Sequence, residues 1–214
     1  MKTKVTFLTA ILALIMVMPA AAQYYKHTDD GNKLYYGLRL GLGFATVHNS
    51  DLDAWDGPSS RTGLNVGAVI GYQLTPSYPV YLESGLLYTE KGGRNDKSRD
   101  IGKIDFNLNY LEIPISVKYQ VDIDGDFNIQ PFFGGYLATG VGGKIKYHKE
   151  REVCSSFSGS RFKRFDGGLR FGCGVEYDML YAEAAYELGL ANIGRDLFEK
   201  THNSCFYLNI GVNF

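Results

Sequence analysis

From Leu111 to Tyr119 the odd positions read Leu, Ile, Ile, Val and Tyr, while the even positions between them read Glu112, Pro114, Ser116 and Lys118. A strict two-residue period gives one apolar and one polar face, which predicts a strand within Asn109 to Val121. The pattern recurs. Leu34 to Thr46 sets Leu34, Tyr36, Leu38, Leu40, Leu42 and Phe44 against Arg39 and glycines. Gly63 to Leu74, Val80 to Thr89, Phe127 to Val141, Asp166 to Tyr177, Leu180 to Ile193 and Cys205 to Phe214 alternate in the same way. Eight strands result, with long connections after the first, third, fifth and seventh and short ones after the second, fourth and sixth. That rhythm belongs to an up-and-down barrel with long external loops and short periplasmic turns.

The polar faces decide which solvent the sheet meets. A soluble, lipocalin-like cup would put Lys, Thr and Ser on its wet face. These faces are instead glycine punctuated by single charges, which suits the cramped interior of a small barrel filled by its own side chains. The expected fold is therefore all-β, an eight-stranded antiparallel up-and-down transmembrane β-barrel with its apolar face turned to lipid. Aromatic positions agree with that direction. Outward Tyr36, Tyr72, Tyr119, Tyr177 and Phe214 fall near the short-turn end, and Phe44, Tyr88 and Phe206 near the long-loop end, as two membrane girdles would.

The first residues place the chain in an envelope. Lys2 and Lys4, an apolar run from Val5 to Val17 and the small residues Ala20, Ala21 and Ala22 read as a cleaved signal peptide over residues 1–22. Residues 23–32 then form a short periplasmic segment and residues 33–214 the outer-membrane barrel. No cysteine directly follows the cleavage site, which argues against a lipid anchor. With 22 Lys+Arg against 23 Asp+Glu, the chain has no electrostatic footprint for nucleic acid.

Alternation assigns Arg39, Lys118 and Arg170 to the lumen, facing Glu83, Glu112, Glu176, Glu183 and Glu187. Unpaired charges there would be costly, so the expectation is a lattice of ion pairs acting as a structural plug. A gated proton or ion path is the sharper alternative. Cys154 lies in the third external loop and Cys205 opens the last strand. Both are expected at the outer rim, joined by a disulfide in an oxidising compartment, with Cys173 left single on the lipid side. The histidines His27, His48, His148 and His202 have no metal or triad partner at a recognisable spacing, so no metal, cofactor or catalytic residue is assigned. Lys144, Lys146, Lys149, Arg151, Arg161, Lys163 and Arg164 cluster around the third loop. They suit either lipopolysaccharide phosphates or plain solvation near anionic headgroups.

Longer stretches carry a family likeness. Leu82-Glu-Ser-Gly-Leu-Leu-Tyr-Thr-Glu-Lys-Gly92 and Asn109-Tyr-Leu-Glu-Ile-Pro114, running into Ile115-Ser-Val-Lys-Tyr119, resemble the PorT-like family of outer-membrane barrels from Bacteroidetes-type bacteria. Phe132-Phe-Gly-Gly-Tyr136 and Tyr186-Glu-Leu-Gly-Leu-Ala-Asn-Ile193 continue the resemblance. It implies an eight-stranded barrel whose terminal aromatic, Phe214, is read by the barrel-assembly machinery. It offers no catalytic residues, and the family's namesake is an accessory of type IX secretion. The expected function is non-enzymatic: envelope structure, or binding of a protein or glycan partner through the external loops. Type IX accessory is the second expectation. A lipid-modifying enzyme is the third, and it would need a Ser/His-type site at the rim, where the outward positions supply no histidine.

Overall fold

Alternation becomes eleven strands in the computed structural model, which describes residues 34–49, 59–95, 104–124, 126–147, 152–157, 162–194 and 201–214. The expected signal peptide, the expected periplasmic segment 23–32 and parts of the long connections, including Lys149, Arg151 and Arg161, lie outside the described residues. The strands are β1 (Leu34–Asn49), β2 (Ser59–Thr75), β3 (Tyr78–Asn95), β4 (Ile104–Tyr119), β5 (Val121–Asp124), β6 (Phe127–Gly142), β7 (Lys144–Tyr147), β8 (Glu152–Ser155), β9 (Phe165–Tyr177), β10 (Leu180–Gly189) and β11 (Thr201–Asn213).

Every pairing is antiparallel. Going round the wall, β1, β2, β3, β4, β6, β9, β10 and β11 each pair with the next, and β11 returns to β1 from Gly37↔Asn213 to Asn49↔Thr201. The sheet is thus a closed eight-stranded barrel with no open edge along its wall, the arrangement that leaves no backbone group unpaired toward lipid. β5 prolongs β4 beyond Gln120 at the short-turn end, and the β7–β8 hairpin prolongs the wall at the other end by pairing with Ile104–Phe106 of β4.

The inside and outside follow the sequence parity. Ile113 and Leu208 are exposed on the outer face, while Arg39, Glu112 and Asn209 are buried inside. Inward glycines are demanded by close approach: a Cβ on Gly67 would lie 2.2 Å from the Leu86 carbonyl oxygen, and one on Gly41 2.2 Å from that of Leu208. At those positions the wall curves too tightly to carry a side chain.

Several boundaries differ from the sequence expectation. Part of the long connection expected after Thr89 is strand: β3 runs on to Asn95 and β4 starts at Ile104, ahead of the expected Asn109, with the two paired through Glu90↔Asn109, Lys91↔Leu108 and Gly92↔Asn107. Two facing segments that both keep their alternation go on pairing after they leave the membrane. A 16-residue strand spans about 53 Å, or roughly 40 Å along the axis when tilted, against an apolar band of about 25 Å. The surplus stands at the long-connection end. The third connection, expected as loop, holds β7 and β8. The seventh strand, expected to reach Ile193, ends at Gly189, where Leu190 and Ala191 turn aside and both donate their N–H to the Gly167 carbonyl at 2.9 Å.

Candidate functional site

The interior is a stack of charge clusters. Arg39 from β1, Glu83 from β3 and Lys118 from β4 meet near the short-turn end. Glu83 takes Arg39 Nη2 at 3.1 Å, Lys118 Nζ at 2.8 Å and the Tyr35 hydroxyl at 2.7 Å on one carboxylate oxygen. Lys118 also donates to the Tyr181 hydroxyl at 2.7 Å, which donates on to Glu183 at 3.1 Å. The Arg39 guanidinium lies 3.9 Å over the Tyr181 ring, so the aromatic face shares its charge. Glu176, expected within this lattice, sits half-buried at the mouth and accepts hydrogen bonds from the amides of Asn128 and Asn213.

One storey up, Arg170 of β9 forks between two carboxylates of β10, with Nη2 to Glu183 and Nη1 to Glu187, both at 2.8 Å. The spacing is a consequence of the strand. Glu183 and Glu187 are four residues apart and so face the same side of β10, and Arg170 is the register partner of Glu187. Asn209 adds a donor to Glu183 at 2.8 Å.

The third cluster goes beyond the sequence expectation. Lys91 of β3 is fully buried, with Nζ 2.8 Å from both Glu112 and Glu187, 3.9 Å from Asp166, and 3.9 Å over the Tyr136 ring. Asp166 is held by Asn203 Nδ2 at 2.9 Å, the Tyr136 hydroxyl at 3.3 Å and the Gly167 N–H at 2.8 Å. Lys91 is masked in the sequence because its neighbours Glu90 and Arg94 make the stretch look like a solvated charge run. The signal that reveals it is parity: Glu83, Gly85, Leu87 and Thr89 point inward, and Lys91 is the next odd position.

Among the described residues, four buried cations (Arg39, Lys91, Lys118, Arg170) meet five buried carboxylates (Glu83, Glu112, Asp166, Glu183, Glu187). Above them the lumen turns apolar. Phe106, Leu108, Tyr110, Tyr136, Ala138, Ile145, Phe157, Phe162 and Ile193 form one buried cluster that draws on β4, β6, β7 and the third and fourth long connections. Tyr110 and Phe157 meet edge to face at 5.7 Å, and Phe106 and Phe162 at 5.8 Å. The barrel therefore carries a charged stack roofed by a hydrophobic lid.

The cysteine expectation is corrected. No disulfide joins Cys154 to Cys205. Cys205 occupies an inward position of β11 and packs with Ala45, Phe132, Ala185 and Tyr207, whereas Cys154 is half-buried on β8, the register partner of Ile145 on β7. Cys173 is exposed on the outer face, as its parity requires. Of the residues expected to form girdles, Tyr36, Phe44, Tyr72, Tyr119, Tyr177, Phe206 and Phe214 are exposed. Tyr88 is half-buried, its hydroxyl accepting from Asn109 Nδ2 at 2.8 Å. In the basic third connection Lys144, Lys146 and Arg164 are exposed and Lys163 is half-buried.

Comparison with known proteins follows the same geometry. The family description "Outer membrane protein beta-barrel domain" matches residues 21–195. No curated protein matches the sequence significantly. Among solved structures, Neisserial surface protein A is similar at 16% identity and TM-score 0.51, covering 84% of this chain and 97% of that one. A major outer membrane protein from Thermus thermophilus is similar at 12% identity and TM-score 0.51, covering 85% and 99%. Ail, the attachment invasion locus protein of Yersinia pestis, matches at 13% identity and TM-score 0.44, covering 84% and 98%.

Proposed function

We propose, for a chain that belongs to the outer membrane protein beta-barrel domain family, a non-enzymatic role as an outer-membrane barrel that acts through its outer surface and external loops. The observation that carries this reading is the interior. Ion pairs at 2.8 to 3.1 Å occupy the lumen from Arg39 to Lys91, and the apolar cluster around Tyr110 and Phe157 sits over them. A channel needs an unobstructed aqueous path, and an eight-stranded barrel leaves little room beyond its own side chains. What remains for function is the surface. Its partners on this reading are outer-membrane lipid, lipopolysaccharide at the basic third connection, a protein or glycan at the external loops, and the barrel-assembly machinery through Phe214 during insertion. Residues 1–22 serve as the cleaved export signal.

Two measurements test the proposal. Purified protein in planar bilayers is expected to hold a sealed baseline, and steady open channels would overturn the plug. Crosslinking in intact cells followed by mass spectrometry is expected to capture an envelope partner at the long connections. The Asn109 to Pro114 stretch favours the narrower PorT-like assignment and with it an accessory role in type IX secretion. Deletion of the gene should then abolish secretion of type IX cargo, and normal secretion would remove that second reading.

A further inference from the structure

Among the described residues the lumen buries one more carboxylate than cation, five against four. Counting donors locates the surplus. Glu83 meets Arg39, Lys118 and Tyr35; Glu183 meets Arg170, Tyr181 and Asn209; Asp166 meets Asn203, Tyr136 and the Gly167 N–H. Glu187 accepts from Arg170 through Oε1. Glu112 is different. It has no exposed surface, and neither of its oxygens has an aligned hydrogen-bond donor, nor does Glu187 Oε2. Lys91 Nζ lies 2.8 Å from Glu112 Oε2 and 2.8 Å from Glu187 Oε2. One ammonium therefore bridges two carboxyl groups, which are themselves within hydrogen-bonding reach of each other.

The surroundings select what completes this pair. Facing it are Lys91 from β3, Tyr110 from β4 itself, Tyr136 from β6, Asp166 and Arg170 from β9, and Cys205 and Tyr207 from β11. Both cations are already engaged: Arg170 forks to Glu183 and Glu187, and Lys91 is shared. No group of three His, Cys, Asp or Glu side chains among the described residues is arranged to hold a metal ion. A buried carboxylate without a cation of its own is strongly unfavourable, and of two carboxyl groups sharing one site only one ionises readily. A carboxylic O–H on Glu112 supplies the donor that Glu187 Oε2 lacks and leaves carboxylates and cations equal in number.

We propose that this upper cluster is a proton-binding site, in which Glu112 holds one proton at neutral pH and donates it in a hydrogen bond to Glu187. The inference deepens the reading of the interior as a plug and rests on it for a lumen closed to water. Bilayer conductance tests the plug, so a sealed barrel without the proton is seen separately. The proton is read by infrared spectroscopy of the folded full-length protein in deuterated water at neutral pH, in a detergent without ester groups. The carbonyl stretch of a protonated carboxyl group is the signal, which ionised surface Asp and Glu do not give.

The wild type is expected to show this band with the area of a single group. Glu112→Gln is expected to lose it. Glu112→Asp, which keeps the acid on a shorter stem, is expected to shift it, and Glu176→Gln, at the half-buried mouth, to leave it unchanged. Heat-modifiable gel mobility checks that each variant is a folded barrel. If E112Q does not fold, the shift in E112D assigns the band. Absence of the band from the folded wild type, its persistence in folded E112Q, or an unshifted band in folded E112D would each overturn the proposal.

Discussion

Lys91→Met removes the cation that holds the upper cluster together. In the native barrel Lys91 Nζ is 2.8 Å from Glu112 and Glu187 and 3.9 Å from Asp166, with no exposed surface. Without it, Arg170 is the cation left beside these carboxylates and Glu183. Breaking a buried pair by deleting one partner costs about 3–5 kcal/mol, because the orphaned charge stays in a poor solvent. Loss of the contact over Tyr136 adds roughly 1 kcal/mol. Glu112→Gln is the opposite case: it removes one member of a set in which carboxylates already exceed cations, and Lys91 keeps Glu187. That variant should change stability by less than about 1 kcal/mol. The double variant K91M/E112Q should recover about 1–3 kcal/mol relative to additivity, since both changes act on one contact. The assay is reversible urea unfolding in phospholipid vesicles, followed by circular dichroism and gel mobility, comparing midpoints at constant slope. A K91M loss below about 1 kcal/mol, or strict additivity in the double variant, would refute the reasoning.

Further outcomes follow from the same structure. Arg170→Lys should cost nearly as much as Arg170→Met, about 2–4 kcal/mol in the same unfolding assay, because an ammonium cannot bridge Glu183 and Glu187 as the planar fork does; full rescue by lysine would count against the bidentate geometry. Gly67→Ala should destabilise by about 1–3 kcal/mol, since its Cβ meets the Leu86 carbonyl. Gly135→Ala, on the open outer side, should cost less than about 1 kcal/mol, and equal losses would contradict the difference between the two faces. In native protein a membrane-permeant maleimide should label Cys173 and leave Cys205 unmodified until unfolding, with labelling unaffected by prior reduction; a mass change of two protons on reduction would restore the disulfide.

The wall of the barrel was legible because its alternation has one meaning wherever it occurs: Leu38, Ile113 and Leu208 share a parity with their neighbours, and their strands pair in that register. Arg39, Lys118, Arg170, Glu83, Glu112, Glu183 and Glu187 were found by the same rule. It failed where composition was allowed to override parity. Lys91 was lost in a run of charges, and Cys205 was expected at the rim although an odd position of the last strand points inward. The β7–β8 hairpin was hidden for a different reason. Lys144-Ile-Lys-Tyr alternates over only four residues, too few to outweigh the basic loop around it, and only its contact with β4 makes Ile145 a buried residue. Which inward charges would touch depends on strand stagger, which a periodic pattern does not encode.

The hydrophobic lid ties together parts of the chain that are far apart in sequence. Phe157 and Phe162 come from the third connection and Ile193 from the fourth, while Phe106 and Leu108 belong to β4. Burial of all five in one cluster makes the long-connection end a clasp: neither connection can swing aside without uncovering rings that the other shields.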